Sequence, residues 1–475
     1  MQHVQGVAEY FGRVPAIEPL ELCARVPTPE PEQPYVPRCN YHFLLKTREN
    51  FRQIRVLSLA VGVTGTVAPL AERPFRLLWL GRVSSAVGAA LIPVAHAFAV
   101  LSVNHSATAL GSVLAVFTLA RVAFTLVGGV VADRLPRRTV MLACDGVRAV
   151  VEAFTAAMLF SHNMTLPLFF VTGAAFGAAS AFFGPASDGL VPQTVSAENL
   201  QRANALLGLS RNSLNVVGPA ASGALIAVAG TAWVFAVDSA SFVLSAFFLL
   251  RLRLPAHARA APNNFLHELR DGFREVASRA WVRASIIGFA ISNFCLAAFL
   301  VLGPPIFMRH FHGARDWGFV SAWGGIGAIA GALASGRIRP PHPVSACFAA
   351  SVLIAVPIAA LARPLPLIAM AAAWTVASAS ITIGNTWWET TLQRGIPAAV
   401  YARVRSYDIL VSFVFMPLGF ISFPLIGREL GNGATLLAAA FVVALSNLAV
   451  AFVPGVHEVT DTHEPETPRA HAHAA

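Results

Sequence analysis

Ionisable side chains within otherwise apolar stretches are the residues of this sequence that could do chemistry. Glu152 and Asp238 lie deepest among the carboxylates, and a carboxyl group shielded from water can take up and release a proton. His96 can titrate near neutral pH, and Arg121 places a positive charge near the middle of an apolar run. These four residues are predicted candidates for handling protons or a substrate. The alternative for His96 is an ordinary hydrogen-bonded histidine.

A second group of charges predicts architecture rather than proton transfer. On one apolar run, acidic and basic residues are spaced by three and four positions, which places them on one helical face: Asp145, Arg148 and Glu152. Further along the chain, Arg211 is expected to pair with Glu389 or Asp188. The predicted structural charge cluster comprises Asp145, Arg148, Arg211 and Glu389.

The elements that must position these residues are membrane-spanning helices. Of 475 residues, 56% are hydrophobic and only 12% are charged, and the mean hydropathy is +0.63. Soluble domains carry about 25% charged residues, so water is not the main solvent of this chain. Apolar runs of about 20 residues recur, and these can cross a bilayer as helices. The net charge of +10 comes from arginines between the runs, which favours a membrane protein over a nucleic-acid-binding one.

Twelve membrane spans in two sets of six are predicted. They lie near residues 77–101, 108–132, 139–160, 166–187, 206–229, 232–251, 284–308, 317–336, 344–362, 367–387, 408–427 and 433–453. With both termini in the cytoplasm, the inner loops contain sixteen arginines and the outer loops contain four. Cytoplasmic loops are enriched in arginine and lysine, so this asymmetry favours both the count and the orientation.

Composition divides the chain into five predicted segments. They are a disordered N-terminal extension (1–70), an N-terminal six-helix bundle (71–252), a cytoplasmic linker (253–283), a C-terminal six-helix bundle (284–453) and a disordered tail (454–475). The extension is rich in proline and lacks the features of a signal peptide. The end of the linker has apolar residues at helical spacing, which predicts either a helix along the membrane surface or an ordinary solvated helix.

The turn between predicted spans 2 and 3, GGVVADRLPRR, combines two glycines, one acid and three arginines. It resembles the corresponding turn of the major facilitator superfamily, whose pattern is GxxxDRxGRR, with Pro136 in place of one glycine. The resemblance implies an all-α membrane fold of two pseudo-symmetric six-helix bundles. It also implies a conformational latch in which the acid contacts span 11. The matching latch residues are Gly129, Asp133, Arg134, Arg137 and Arg138.

A second stretch, residues 182–226, resembles the bacterial exporter branch of this superfamily, which includes enterobactin exporters and predicted multidrug efflux proteins. Within span 5 it matches the GPxxGG signature of antiporters, with a serine in one glycine position. The matching residues are Gly218, Pro219, Ser222 and Gly223. The proline frees a backbone carbonyl and the small residues allow close packing, so a hinge is predicted here. A packing kink without directional meaning is the alternative.

The two halves of the sequence resemble each other. Residues 387–426 are similar to residues 182–226. The end of span 8, GALASGRIRP, is similar to GGVVADRLPRR, with Ser335 in place of the acid. Parallel repeats related by an axis along the membrane normal would give this pattern. Only the N-terminal half is predicted to keep the charged latch.

Enzymatic functions are not expected, because the sequence has neither a GxxxxGK[ST] phosphate loop nor a nucleophile and base pair.

The resemblance implies proton-coupled export of small amphiphilic molecules through the bacterial cytoplasmic membrane by alternating access. The expected partners of this monomer are protons, a small-molecule substrate and lipid, with no nucleic acid, cofactor or metal. A nutrient importer and a non-transporting sensor or assembly protein remain as alternatives. Ala89 stands where many relatives carry an acid, which keeps the last alternative open.

Overall fold

A computed structural model describes residues 67–253 and 273–460 of the chain, and the side chains of these residues apart from 126–134, 398, 399, 402 and 454. Within these ranges every regular element is a helix. The predicted N-terminal extension up to residue 66 and the tail from residue 461 lie outside the described residues, as do linker residues 254–272.

Each of the twelve predicted spans coincides with one helix or with two consecutive helices. The spans of the N-terminal half are Arg73–Asn104 (span 1), Ala107–Arg134 (span 2), Arg137–Phe160 (span 3), Leu166–Asp188 (span 4), Leu200–Ala229 (span 5) and Thr231–Arg251 (span 6). Those of the C-terminal half are Ala280–His310 (span 7), Ala314–Ser335 (span 8), Pro343–Ser351 with Ala355–Ala362 (span 9), Leu367–Gly395 (span 10), Ala398–Val414 with Met416–Leu430 (span 11) and Asn432–Ala451 (span 12).

Span 3 differs from the other spans in its polarity. Among the described residues, eleven helices are long and apolar enough to cross a membrane, and span 3 is not one of them. Its charged residues Asp145, Arg148 and Glu152 lower its hydropathy, yet all three are buried. Span 3 packs against spans 4 and 6, so its charges face protein and not lipid.

Several helices extend beyond the apolar runs that predict them. Span 5 begins at Leu200 and not near residue 206, span 10 continues to Gly395, and span 11 begins at Ala398, ten residues before its predicted start. Hydropathy detects only the part of a helix that lies in hydrocarbon, whereas these added turns are polar and project beyond it. The number of predicted spans was therefore right, but several predicted spans were shorter than the helices that contain them.

Two glycines mark the internal repeat. Gly230 (φ +89°) separates spans 5 and 6, and Gly431 (φ +82°) separates spans 11 and 12. Both occupy the left-handed backbone region, which favours glycine because it has no Cβ. The two positions are 201 residues apart, so a residue of span 6 has its equivalent in span 12 at 201 positions later.

The two ends of the helical bundle differ in charge and in packing. We call the end with Arg137, Arg138, Arg251 and Arg337 the arginine-rich end. At this end each half has a hydrophobic core of its own, formed around Phe75 and its neighbours in the first half and by separate residues in the second. At the opposite end a single core contains residues of both halves. Among the residues whose side chains are described, the halves therefore share a hydrophobic core at one end and have separate cores at the other.

Glycines permit the close contact between the halves. A Cβ at Gly111 of span 2 would overlap the carbonyl oxygen of Phe420 of span 11. A Cβ at Gly223 of span 5 would overlap the carbonyl oxygen of Ala314, the first residue of span 8. Span 2 contacts span 11 mainly through Met416–Leu430, the part of span 11 that is remote from the arginine-rich end. Spans 2, 5, 8 and 11 thus form the interface.

The segments next to the bundle depart from the predicted boundaries. Pro454–His457 forms a short helix, and Val456 is fully buried against the C-terminal core, so the ordered chain reaches beyond the predicted start of the tail. At the N-terminal side, Ala68–Ala71 forms a 3-10 turn with Pro69 buried. In the linker, residues 273–278 are helical, with Phe273 exposed and its ring near that of Tyr407 in span 11.

Candidate functional site

An ion pair on span 3 organises the polar interior of the N-terminal half. A guanidinium nitrogen of Arg148 lies 2.5 Å from the carboxylate of Asp145, one helical turn away. The second oxygen of Asp145 accepts a hydrogen bond of 2.6 Å from the hydroxyl of Ser245 on span 6. The guanidinium of Arg148 also stacks between the rings of Phe183 and Phe242, at 4.2 and 4.3 Å. Both charges are therefore held in one geometry in a water-poor site.

Two further carboxyl groups lie beside this pair without full partners. Glu152 is 3% exposed and Asp238 is fully buried, and each is within electrostatic range of Arg148. One oxygen of Asp238 accepts a hydrogen bond of 3.3 Å from Ser241. Its other oxygen, Oδ2, and Oε2 of Glu152 are buried and have no hydrogen-bond partner among the described residues. An unpaired buried polar atom is costly, so these two oxygens are positions that a proton or a ligand can satisfy.

The charges of this buried cluster do not balance. Three carboxyl groups of spans 3 and 6 lie near one guanidinium, and among the described residues only Asp145 forms an ion pair with Arg148. If all were ionised, the cluster would carry a surplus of negative charge away from water. Burying an uncompensated charge is strongly unfavourable, so full ionisation of all three carboxyl groups in this environment is costly.

Span 1 closes the cluster on its third side. A Cβ at Gly88 would stand 2.8 Å from the Cα of Asp238 and would overlap the side-chain oxygens of Asp238 and Ser241. Close approach of the two backbones at this glycine leaves no space beside the carboxyl group. Span 1 therefore covers Asp238 at Gly88.

His96 lies about 12 Å further along span 1 than Gly88, as eight residues of a helix require. Its ring is surrounded by Phe117, Phe169 and Phe235, with centroid distances of 6.5, 5.9 and 6.1 Å. The Nε2 atom is buried and has no hydrogen-bond partner in the part of the chain that the structure describes. The structure thus places His96 in an aromatic pocket apart from the carboxyl cluster.

Arg121 is exposed on span 2 and is not sealed within the protein. The hydroxyl of Thr125 donates a hydrogen bond of 2.7 Å to its carbonyl oxygen. The guanidinium has no ion pair among the described residues. Its charge is thus available to solvent or to a substrate and does not balance the buried carboxyl groups.

The C-terminal half contains a charge cluster that the sequence analysis did not find. Arg405 of span 11 lies 2.6 Å from Glu389 of span 10 and 2.5 Å from Asp408. Asp408 is 3% exposed and also accepts hydrogen bonds from the Trp388 indole and the Ser412 hydroxyl, at 3.1 and 3.3 Å. The signal that could have revealed this cluster is the spacing of three between an arginine and an aspartate within one helix.

The predicted pairing of Arg211 differs from what the structure shows. Asp188 is paired with Arg82 of span 1 at 3.1 Å, and Glu389 is paired with Arg405. Arg211 instead lies in the first half within electrostatic range of Arg82. The reason is geometric, because Glu389 belongs to the other half and the two halves do not share a core at the arginine-rich end. Each carboxylate is neutralised by an arginine of its own half.

The structure describes the side chains of only some of the predicted latch residues. Gly129, Asp133 and Arg134 belong to the part of span 2 whose side chains lie outside the described residues. Arg137 donates a hydrogen bond to the carbonyl of Gly189, after span 4. Arg138 donates hydrogen bonds of 2.8 and 2.7 Å to the carbonyls of Leu249 and Leu250. These arginines therefore bind the carbonyl ends of spans 4 and 6, where a helix dipole attracts positive charge.

The predicted hinge of span 5 lies between span 1 and the second half. A Cβ at Gly218 would lie 2.5 Å from the side chain of Ala90 in span 1, and the hydroxyl of Ser222 donates a 2.7 Å hydrogen bond to a span 1 carbonyl. Gly223 and Pro219 instead adjoin span 8 across the interface. The motif thus connects the span that covers the carboxyl cluster to the opposite half.

The fold and this arrangement define a class of protein, a membrane transporter with the major facilitator fold. A mutant form of the nucleoside transporter NupG superposes with a TM-score of 0.65 at 14% identity and covers 80% of this chain and 100% of that one. A bacterial homologue of the iron transporter ferroportin in an inward-facing state gives a TM-score of 0.63 at 15% identity, over 80% and 99% of the two chains. At these identities the likeness shows the fold alone.

Residues 64–473 match the model of the family described as "Transmembrane secretion effector", and the chain belongs to this family of major facilitator transporters. The uncharacterized MFS-type transporter YkuC of Bacillus subtilis is 28% identical over 57% of this chain and 66% of its own length. The enterobactin exporter EntS of Salmonella paratyphi A is 27% identical over 56% of this chain and 64% of its own length. The chain thus spans less than two thirds of either relative in these matches.

Proposed function

We propose that this protein is a proton-coupled exporter of small amphiphilic molecules that works by alternating access. The observation that carries the proposal is the contrast between the two ends of the bundle. The halves share one core at the end remote from the arginines, while each half has its own core at the arginine-rich end. A transporter that is closed on one side and open on the other has this arrangement.

The orientation in the membrane is inferred from the arginines. Cytoplasmic loops are enriched in arginine, so we assign the arginine-rich end and both ends of the helical bundle to the cytoplasm of a bacterial cell. In that orientation the conformation described above is open to the cytoplasm. An exporter loads its substrate from the cytoplasm in this conformation.

Proton coupling is assigned to Glu152 and Asp238. Both are buried, each has an oxygen without a partner among the described residues, and together with Asp145 they exceed the positive charge of Arg148. Protonation satisfies the free oxygens and removes the surplus charge, so proton binding and release here are coupled to the environment of the cluster. Movement of span 1 at Gly88 then links that environment to the conformational change.

Export and the type of cargo draw support from the relatives. The printed name of the Salmonella paratyphi A relative is enterobactin exporter, and the matched family is described by secretion. The glycine and proline motif of span 5 lies at the interface with span 8, where a hinge serves the rocking of the halves. A small amphiphilic molecule fits a site between two helical bundles with apolar walls and few polar groups.

Reconstitution into liposomes tests the proposal. With the purified full chain, an imposed proton gradient should drive movement of ethidium or enterobactin against the direction of proton flow, and a pH-sensitive dye should report the proton current. Glu152→Gln and Asp238→Asn should each abolish the gradient dependence, whereas the exposed loop variant Glu198→Gln should behave as wild type.

Three results would contradict the proposal. Substrate movement together with the protons, in the same direction, would indicate an importer. Unchanged gradient dependence in both carboxyl variants would remove the coupling role of Glu152 and Asp238. If no probe moved and labels on the two halves showed no alternation, a sensor or assembly protein would be the better interpretation.

A further inference from the structure

A cavity opens at the arginine-rich end between the start of span 1 and the end of span 6. Its volume is about 540 Å³, and its lining includes three arginines, Arg73, Arg251 and Arg253, and the aliphatic residues Leu77 and Leu250. No acidic residue of the described ranges lines it. None of the three guanidinium groups forms an ion pair with a residue of the described chain. The cavity is therefore a concentrated positive site.

The floor of this cavity is formed by buried, well-packed residues. Leu252 and Leu249 beneath it are fully buried in the core of the first half, together with Phe75 and Leu78. Arg138 binds the carbonyl oxygens at the end of span 6, which satisfies the helix terminus that would otherwise repel an anion. Span 1 begins at the cavity and adds the positive end of its own dipole. The cavity therefore combines exposed guanidinium donors with a well-packed apolar floor, and such a combination suits an anion.

One side of the cavity continues into a surface that suits hydrocarbon. Four large apolar residues of span 6 between the cavity and the middle of the span are exposed: Val243, Leu244, Phe247 and Leu250. The guanidinium of Arg251 lies 4.2 Å from the ring centroid of Phe247 and so marks the boundary between the apolar surface and the charged cavity. The cavity would bind an anionic headgroup, and the adjacent apolar surface would contact a hydrocarbon chain.

The repeat provides an internal comparison. The positions equivalent to Arg251 and Arg253 at the end of span 12 are Phe452 and Pro454. Both helix ends lie at the same end of the bundle, so enrichment of arginine in cytoplasmic loops applies equally to both. The end of a helix at this position therefore does not require the arginines that span 6 has.

We propose that the cavity between spans 1 and 6 binds the phosphate of an anionic phospholipid, with its acyl chains along the exposed face of span 6. Basic pockets between helices at the cytoplasmic side of a membrane bind such headgroups. The bound lipid would offset part of the positive charge of the three arginines and hold span 1, the span that covers Asp238, against span 6. This inference rests on the cavity and on the membrane fold, and it stands whether or not the substrate is exported with proton coupling.

Native mass spectrometry of the full chain in detergent tests the proposal with two lipids of identical acyl chains, phosphatidylglycerol and phosphatidylcholine. The pocket variant is Arg251→Gln with Arg253→Gln. The matched control is Arg337→Gln with Arg339→Gln, which removes two arginines at the same spacing after span 8, at the same end of the bundle. Removing two charges at about 1 kcal/mol each should weaken phosphatidylglycerol binding by about thirtyfold in the pocket variant and by much less in the control.

Several outcomes would overturn the proposal. These are equal binding of the two lipids by wild type, an equal loss in the control variant, and displacement of phosphatidylglycerol by millimolar inorganic phosphate, which would indicate a site for free phosphate. Thermal unfolding in lipid-free detergent shows whether the pocket variant is folded. If it is not, the single change Arg253→Gln, which lies beyond the end of span 6, replaces it in the same comparison.

Discussion

Removal of Arg148 should destabilise the protein more than removal of its ion-pair partner. Arg148→Met leaves the carboxylate of Asp145 buried without a counter-charge, beside Glu152 and Asp238. Removing one partner of a buried ion pair costs about 3–5 kcal/mol, and the lost stacking on two phenylalanine rings adds about 0.5–2 kcal/mol. We therefore expect Arg148→Met to lower the free energy of unfolding by an amount near the upper end of the range of about 3–5 kcal/mol.

Asp145→Asn should cost less, because Arg148 keeps two other buried carboxyl groups as electrostatic partners. A hydrogen bond that involves a charged group contributes about 1.5–3 kcal/mol, and this is the expected loss. The double variant Asp145→Asn with Arg148→Met should be more stable than the sum of the two losses predicts, since the uncompensated carboxylate is then absent. A coupling energy of about 1–3 kcal/mol is expected for residues in such contact.

Reversible unfolding of the purified chain in mixed micelles, followed by far-ultraviolet circular dichroism as the proportion of denaturing detergent rises, measures these free energies. Arg405→Met is the matched control, because Arg405 also lies between two carboxylates but one of them, Glu389, is 47% exposed and stays hydrated. The reasoning is refuted if Asp145→Asn is the more damaging change, if the two losses add without coupling, or if Arg405→Met is as harmful as Arg148→Met.

Three further predictions concern the surroundings of the site. Gly88→Ala should separate spans 1 and 6 at Asp238. We expect the free energy of unfolding in the same assay to fall by about 1–3 kcal/mol and transport to be lost. Wild-type stability and transport would contradict the close contact. Ser222→Ala keeps the Cβ and removes a buried hydrogen bond to span 1, so unfolding should become easier by about 1 kcal/mol, and an unchanged midpoint would argue against that bond. The pKa of Glu72 lies below its ordinary value, chiefly because Asn199 donates a hydrogen bond to it. Glu72 therefore stabilises the fold above its unfolded pKa and ceases to do so as pH falls through the lowered folded pKa. Glu72→Gln should be less stable than wild type at neutral pH, and the difference in unfolding midpoint should shrink as pH falls below the ordinary pKa of a glutamate and vanish once pH is below the lowered pKa of Glu72. A difference independent of pH would refute this.

The fold could be predicted from the sequence because a bilayer imposes one dominant pattern. Apolar runs long enough to cross the membrane gave the number of spans, and two short motifs gave the superfamily. Span 3 shows the limit of this reasoning: its charges lower its hydropathy, and its place in the bundle follows from the neighbouring spans rather than from its own composition. Helix ends were predicted poorly because polar turns beyond hydrocarbon leave no hydropathic signal.

The candidate site could be predicted only where its residues share a helix. Spacing brought Asp145, Arg148 and Glu152 together, but it could not show that Asp238 joins them from span 6 or that Gly88 covers them. Such contacts depend on which helices pack together, and a single sequence does not contain that information in its periodicity. The expected pairing of Arg211 with Glu389 or Asp188 differed from the structure for the same reason, because the packing brings Arg405 to Glu389 and Arg82 to Asp188.

The two halves use their buried charges differently, and this difference bears on where ions are coupled. In the C-terminal half, both oxygens of Asp408 accept hydrogen bonds, and the second acid near Arg405 remains hydrated. Both carboxylate oxygens of Asp408 therefore have a partner. In the N-terminal half, two carboxyl oxygens are buried without hydrogen-bond partners in the described ranges. The buried charges of the two halves are therefore asymmetric, and the proposed proton coupling is assigned to the first half because its carboxyl oxygens are the ones without such partners.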